Sequence, residues 1–168
     1  MTLSNFEGSI AVVTGSSVGI GRQLCEDLLS ESNDIIVAGF SRRGTSIENK
    51  NFIDIKCDIT DHIILDKAIT DLVAKYPERK IKILINNAGC GKPIPLLSHP
   101  ALKNPAVENP EMDAKAAFDG FSTMTNLNIV ALAMVTRICS KEFSYDFETT
   151  HLEKRITPSK KNSILYFN

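Results

Sequence analysis

The feature that most constrains this chain is a glycine-spaced turn set directly after a short apolar run. Ser9–Thr14 (SIAVVT) passes without a break into Thr14-Gly15-Ser16-Ser17-Val18-Gly19-Ile20-Gly21. A β-branched run of that length reads as a buried strand, and Gly21–Ser30 behind it places Leu24, Leu28 and Leu29 at helical spacing. Three spaced glycines alone describe a plain tight turn equally well. Placed between a strand and a helix, they create a site where backbone can approach a pyrophosphate, with the free N–H groups and positive dipole end of the helix facing it. A P-loop is excluded, because it needs Lys and then Ser or Thr after the last glycine, and Arg22-Gln23 stands there.

The rest of the chain alternates in the same way. Asp34–Gly39 (DIIVAG), Asn51–Lys56 (NFIDIK) and Ile81–Ile85 read as strands. Between them, Leu65, Ile69, Leu72, Val73 and Tyr76 form one face of a helix over Asp61–Tyr76, with Thr60 or Asp61 as N-cap and Pro77 as its stop. Strands apolar on both faces and separated by helices predict a parallel sheet covered on each side. Cys90–Thr125 breaks this rhythm. It holds five of the seven prolines, which predicts an elaborated loop with at most a short helix around Asp113–Phe118. A long helix over Thr125–Phe143, with Leu127, Val130, Ala131, Met134, Val135 and Ile138 on one face, is expected next. A polar link (Ser144–Lys161) and a last strand (Ser163–Phe167) follow.

Composition narrows the classes of function. A chain of 168 residues suits one domain. A net charge of −1 gives no electrostatic reason to expect nucleic acid or an acidic membrane as partner. The longest apolar run, Ile129–Val135, is far short of the roughly 18 residues a membrane helix requires. MTLSNFEGS shows no secretory signal, and the cysteines at 25, 57, 90 and 139 form no CxxC pair. The expectation is a cytoplasmic protein with reduced thiols and no metal.

TGSSVGIG resembles the TGxxxGIG turn of the short-chain dehydrogenase/reductase family, and Asn86-Asn87-Ala88-Gly89 resembles that family's NNAG motif. Cys57-Asp58-Ile59 is similar to the Asp-Val/Ile pair that contacts adenine there. Asn128, in LNIVALAMVTR, aligns with the asparagine that kinks the long helix and anchors a proton-relay water. The resemblance covers essentially the whole chain. It implies an α/β fold: a three-layer αβα doubly wound parallel sheet (Rossmann-like), strand order 3-2-1-4-5, lacking the C-terminal part. Residues 1–168 would then be one NADP-binding domain. The implied activity is hydride transfer between nicotinamide and a small-molecule carbonyl or alcohol substrate. The cofactor-binding set would be Gly15, Ser16, Ser17, Gly19, Ile20, Gly21, Ser41, Arg42, Arg43, Asp58, Ile59, Asn86, Ala88 and Gly89, with Asn128 catalytic. In the family the long helix forms part of the oligomer interface, which leaves a homo-oligomer open.

The end of the second strand selects the cofactor. A carboxylate there would bond the ribose 2′-hydroxyl of NAD and repel a 2′-phosphate, whereas this chain has Phe40-Ser41-Arg42-Arg43. The guanidinium fork matches phosphate, so Arg42 reads as a clamp for NADP(H). The bland alternative is two solvated arginines. Many NADP-preferring members also carry a basic residue before the second glycine, where this chain has Val18, so Arg42 must act alone or with Arg43.

The family's chemistry also needs a serine after the fifth strand and a Tyr-x-x-x-Lys pair on the next helix. The sequence ends at Ile164-Leu165-Tyr166-Phe167-Asn168, on the expected fifth strand. Tyr76-Pro77-Glu78-Arg79-Lys80 matches the string but is expected to be a decoy, because Pro77 breaks the helix that would stack the two side chains. Tyr145 and Tyr166 have no lysine four residues on. The 168-residue chain is therefore expected to lack turnover by itself. The alternative is a non-catalytic dinucleotide-binding or interaction module. Cys90 is expected to be packing rather than chemistry.

Overall fold

The computed structural model describes residues 6–91, 110–142 and 163–166, the stretches 110–113 and 163–166 by their backbone alone. Five strands form one parallel sheet: β1 (Ile10–Thr14), β2 (Ile36–Ser41), β3 (Phe52–Lys56), β4 (Ile81–Asn86) and β5 (Ser163–Tyr166). Their order is β3-β2-β1-β4-β5, as the resemblance implied. β1 pairs with β2 from Ile10↔Ile36 to Thr14↔Phe40 and with β4 as far as Val13↔Ile85. The carboxyl ends of β1, β2 and β4 therefore open on the same edge.

The two-residue period of β1 divides the core. Ile10 and Val12 join a buried cluster with Ala38 and Leu84, covered by Leu65, Ile69 and Leu72 of α2 (His62–Lys75) and by Leu132, Val135 and Ile138 of α4 (Leu132–Ser140). Ala11 and Val13 join the opposite cluster with Val37, Ile83 and Ile85, covered by Cys25 and Leu29 of α1 (Gly19–Glu31). Helices thus cover both faces. Each fully buried aliphatic side chain contributes roughly 1.5–3 kcal/mol through area removed from water.

Of the two N-cap candidates for α2 it is Asp61 that caps: its Oδ1 accepts from the N–H groups of Ile63 at 3.0 Å and Ile64 at 3.1 Å. β2 runs two residues beyond the expected Gly39, because Phe40 and Ser41 still find partners in Ile55 and Lys56 of β3.

The expected loop over Cys90–Thr125 requires a correction. Its second half is a helix, α3 (Pro110–Thr125), of 16 residues, far longer than the short helix expected around Asp113–Phe118. Pro110 is compatible because it opens the helix, where a missing N–H costs nothing and its fixed φ is already helical. Ala114, Ala116 and Ala117 are strong helix formers, and Lys115 pairs with Asp119 one turn on at 2.7 Å. Prolines 93, 95, 100 and 105 lie outside the described residues.

α3 continues without a break into a π-helical turn over Asn126–Ala131 and then α4, the flanking Thr125 and Leu132 both having helical dihedrals. The expected long helix therefore exists but carries one wide turn, and its regular part ends at Ser140. The polar link expected over Ser144–Lys161 lies outside the described residues.

Candidate dinucleotide site

Thr14 ends β1 fully buried, and its hydroxyl does the first piece of assembly. Thr14 Oγ1 accepts from the N–H of Asn87 at 3.1 Å and of Ala88 at 3.0 Å. In return Asn87 Nδ2 donates to the carbonyls of Thr14 at 3.0 Å and Gly15 at 3.3 Å. The glycine turn and the Asn86–Gly89 turn are thereby laced into one rim.

The three glycines divide the work. A Cβ on Gly21 would lie 2.3 Å from the Gly15 carbonyl oxygen and 2.4 Å from Asn87 Nδ2, so Gly21 is what lets α1 pack this close. Gly15 has φ +74°, and a Cβ there would meet Ala88 Cα at 2.9 Å. Gly19, with φ +64°, has no atom within 4 Å of that direction, so it faces open space at the start of α1. Val18 precedes the helix and provides no side-chain acceptor, leaving the first-turn N–H groups for an anion.

Beneath this rim lies a cleft of about 850 Å³. Of the expected cofactor set, Gly15, Ser17, Ile20, Ser41, Arg42, Arg43, Asp58, Ile59, Ala88 and Gly89 line it. Arg42 and Arg43 are exposed at its mouth, next to the buried Ser41. Asp58 closes an Asx turn, accepting from Thr60 N–H at 3.0 Å and Thr60 Oγ1 at 2.7 Å. The Thr60 backbone bond, then the Thr60 hydroxyl, and least the Arg42 guanidinium hold the Asp58 carboxyl below its usual range, against a small opposing effect of burial.

The remaining expected residues stand off the lining. Gly19 and Gly21 flank it as described. Ser16 is buried, its hydroxyl beside Gly39 and without a hydrogen-bond partner. Asn86 is buried in the sheet, and its Nδ2 donates at 3.0 Å to Thr136 Oγ1, which donates in turn to the Leu132 carbonyl at 2.9 Å. Asn128 sits in the π turn and engages the backbone of Cys90.

Several cleft residues were not singled out from sequence. Asn87 stands inside the quoted motif, and its side chain was overlooked there in favour of its neighbours. Phe40, Cys57 and Thr60 adjoin residues that were named. Ser122 and Thr123 of α3 and Asn126 and Leu127 of the π turn also line the cleft, and recognising α3 as a helix would have been the signal for the first two. Tyr76 is half-buried at the carboxyl end of α2, with Lys75 Nζ 5.5 Å from its ring centre. The Lys80 carbonyl accepts from Ile10 N–H at the amino end of β1, the end of the sheet opposite Thr14. Among the described residues, no three His, Cys, Asp or Glu converge as metal ligands, and no helix is long and apolar enough to cross a membrane.

Residues 9–149 match the short chain dehydrogenase family. The chain belongs to this family. It is 35% identical over 103 residues to 2-dehydro-3-deoxy-D-gluconate 5-dehydrogenase of Pseudoalteromonas atlantica, covering 56% of this chain and 40% of that one. It is 44% identical over 86 residues to a 3-oxoacyl-(acyl-carrier-protein) reductase of Buchnera aphidicola, covering 48% of this chain and 34% of that one. A short chain dehydrogenase from Leptospira borgpetersenii, solved with bound NAD+, shares the fold at a TM-score of 0.61 with 20% identity, over 81% of this chain and 46% of that one. The chain thus spans less than half the length of these relatives.

Proposed function

We propose that this chain binds NADP(H) across the cleft, as the cofactor-holding part of an oxidoreductase acting between nicotinamide and a small carbonyl or alcohol. The single observation that carries the cofactor choice is the pair Arg42 and Arg43 at the cleft mouth, where β2 ends without a carboxylate. The pyrophosphate would lie on the uncapped start of α1, over Gly19, whose missing Cβ leaves the approach open. Arg42 would receive the 2′-phosphate, and Asp58 and Ile59 would border the adenine. Bound NADPH supplies the hydride, and the chain's own part is to bind and orient it.

The named relatives support the reaction class, and the Leptospira protein's NAD+ supports a nicotinamide dinucleotide in this fold. Among the described residues no tyrosine lines the cleft, and Tyr76 lies at the far end of the sheet. We therefore assign cofactor binding to the described residues and a proton donor to none of them. The cleft suits the cofactor-holding part of a cytoplasmic, homo-oligomeric enzyme, with a non-catalytic dinucleotide-binding module as the alternative.

The test is titration with NADPH and NADH, followed by nicotinamide fluorescence, for the wild type and Arg42→Ala. Wild type should prefer NADPH. Arg42→Ala should lose about ten- to a hundredfold for NADPH, the worth of a charge-assisted phosphate contact, with NADH within about twofold. Equal losses, or a wild-type preference for NADH, would refute the assignment. Turnover of aldehydes or ketones that Tyr76→Phe abolishes would refute the absence of a donor.

A further inference from the structure

We propose that Asp54 of β3 is a positioning residue that determines cofactor specificity, because its carboxylate holds the turn carrying Arg42 and Arg43. The inference rests on the reading of Arg42 as the receiver of the 2′-phosphate, and it explains how two exposed side chains on a connection between strands acquire a direction.

The arginines leave β2 directly after Ser41, and the chain behind them is held by two hydrogen bonds and a close steric fit. Ser41 Oγ accepts from Gly44 N–H at 3.0 Å, closing a tight turn around both arginines. Asp54 Oδ1 accepts from Thr45 N–H at 3.2 Å, fastening the next residue to the neighbouring strand. Gly44 has φ +78°, and a Cβ there would fall 2.6 Å from Asp54 Oδ2 and 2.7 Å from Lys56 Cε. The turn therefore sits hard against Asp54 and can do so only with glycine at its tip. Register makes the contact available: Asp54 pairs with Gly39 and Lys56 with Ser41, so both stand beside the last residues of β2.

Asp54 could influence Arg42 in two ways, and they have opposite signs. As a nearby anion it would repel a bound phosphate, so its removal would tighten NADPH. As a hydrogen-bond acceptor that fixes the turn, its removal would scatter the guanidinium groups and weaken NADPH. The two bonds, the positive φ of Gly44 and its lack of free space favour the second. Asp54 itself is exposed on the edge strand, so replacing it leaves the core untouched.

The experiment titrates NADPH and NADH into the wild type, Arg42→Ala, Asp54→Ala, Asp54→Asn and Gly44→Ala, with thermal melts to confirm folding. Asp54→Ala should weaken NADPH by about two- to tenfold, the value of one ordinary hydrogen bond, and leave NADH unchanged. Asp54→Asn keeps the acceptor without the charge and should restore NADPH affinity. Gly44→Ala should reproduce the selective loss by an independent route. If Asp54→Ala binds NADPH as well as or better than the wild type, or loses both cofactors equally, the positioning role is overturned while a selective Arg42→Ala loss keeps the clamp standing. If Arg42→Ala shows no selectivity, the clamp reading itself fails and this inference with it.

Discussion

Asn128 holds Cys90 at both ends of its amide: the Cys90 N–H donates to Asn128 Oδ1 at 2.9 Å, and Asn128 Nδ2 donates to the Cys90 carbonyl at 2.9 Å. The clasp joins the π turn of the long helix to the residue that follows Asn86-Asn87-Ala88-Gly89. It leaves the amide one N–H and one lone pair for a further partner. Asn128→Leu should strand both Cys90 groups and cost about 1–3 kcal/mol, read as a lower urea midpoint. An unchanged midpoint would show that the clasp adds nothing to stability.

The glycines of the turn should separate folding from binding. Gly21→Ala drives a methyl into the Gly15 carbonyl and the Asn87 amide, so it should lower stability by about 1–3 kcal/mol, as overpacking does. A Cβ at Gly19 meets no protein atom, so the stability cost of Gly19→Val should be chiefly that of a β-branched residue held at positive φ, roughly 1–2 kcal/mol or more. The variant places its side chain where the pyrophosphate would lie and should abolish NADPH binding. Thermal melts and fluorescence titration on both variants check the pair, and unchanged NADPH affinity in Gly19→Val would reduce that glycine to a turn former.

Thr14 offers a test by rescue. Thr14→Val is nearly isosteric and removes the acceptor shared by the Asn87 and Ala88 N–H groups. It should destabilise the protein by about 1–3 kcal/mol or more, while Thr14→Ser, which keeps the hydroxyl, should recover most of the loss. Equal unfolding midpoints for the two variants would mean that the methyl, not the oxygen, matters here.

The four cysteines should respond unequally to thiol reagents. Cys25, Cys57 and Cys139 are buried and Cys90 is only half-buried, so native labelling should modify Cys90 first. Burial, with a lesser contribution from Glu26 and Glu142 respectively, pushes the Cys25 and Cys139 thiols from 9.0 up to about 12. The neutral thiol is thus favoured in the folded state. Its contribution is complete below pH 9.0 and is lost as pH rises from there toward about 12, where the unfolded thiols ionise first. Stability measured against pH should fall over that window, and Cys139→Ala should flatten the fall. Mass-spectrometric labelling that found Cys139 modified as fast as Cys90 would contradict this burial.

Much of this protein was determined by short-range pattern. The Ser9–Thr14 run, the glycine spacing and the Leu65-Ile69-Leu72 stripe each depend on chain-local periods, and the structure places all three where those periods direct. The α3 helix departs from the sequence expectation for a local reason too: the five prolines of Cys90–Thr125 predict a loop, but Pro110 stands in the first turn of the helix, where proline is tolerated. Tertiary structure alone decided the rest. The sequence contains both Asn86 and Asn87, and only the fold separates them: Asn86 ends β4 with its side chain in the core, while Asn87, just past the strand, is drawn to the rim by its bonds to Thr14 and Gly15. Nothing local relates Asp54 to Arg42. Asp54 reaches the Thr45 N–H of the turn that carries Arg42 because β3 pairs with β2 in a register that brings Asp54 beside Gly39, and that pairing is set by burial across the sheet, over a sequence distance that no local period spans.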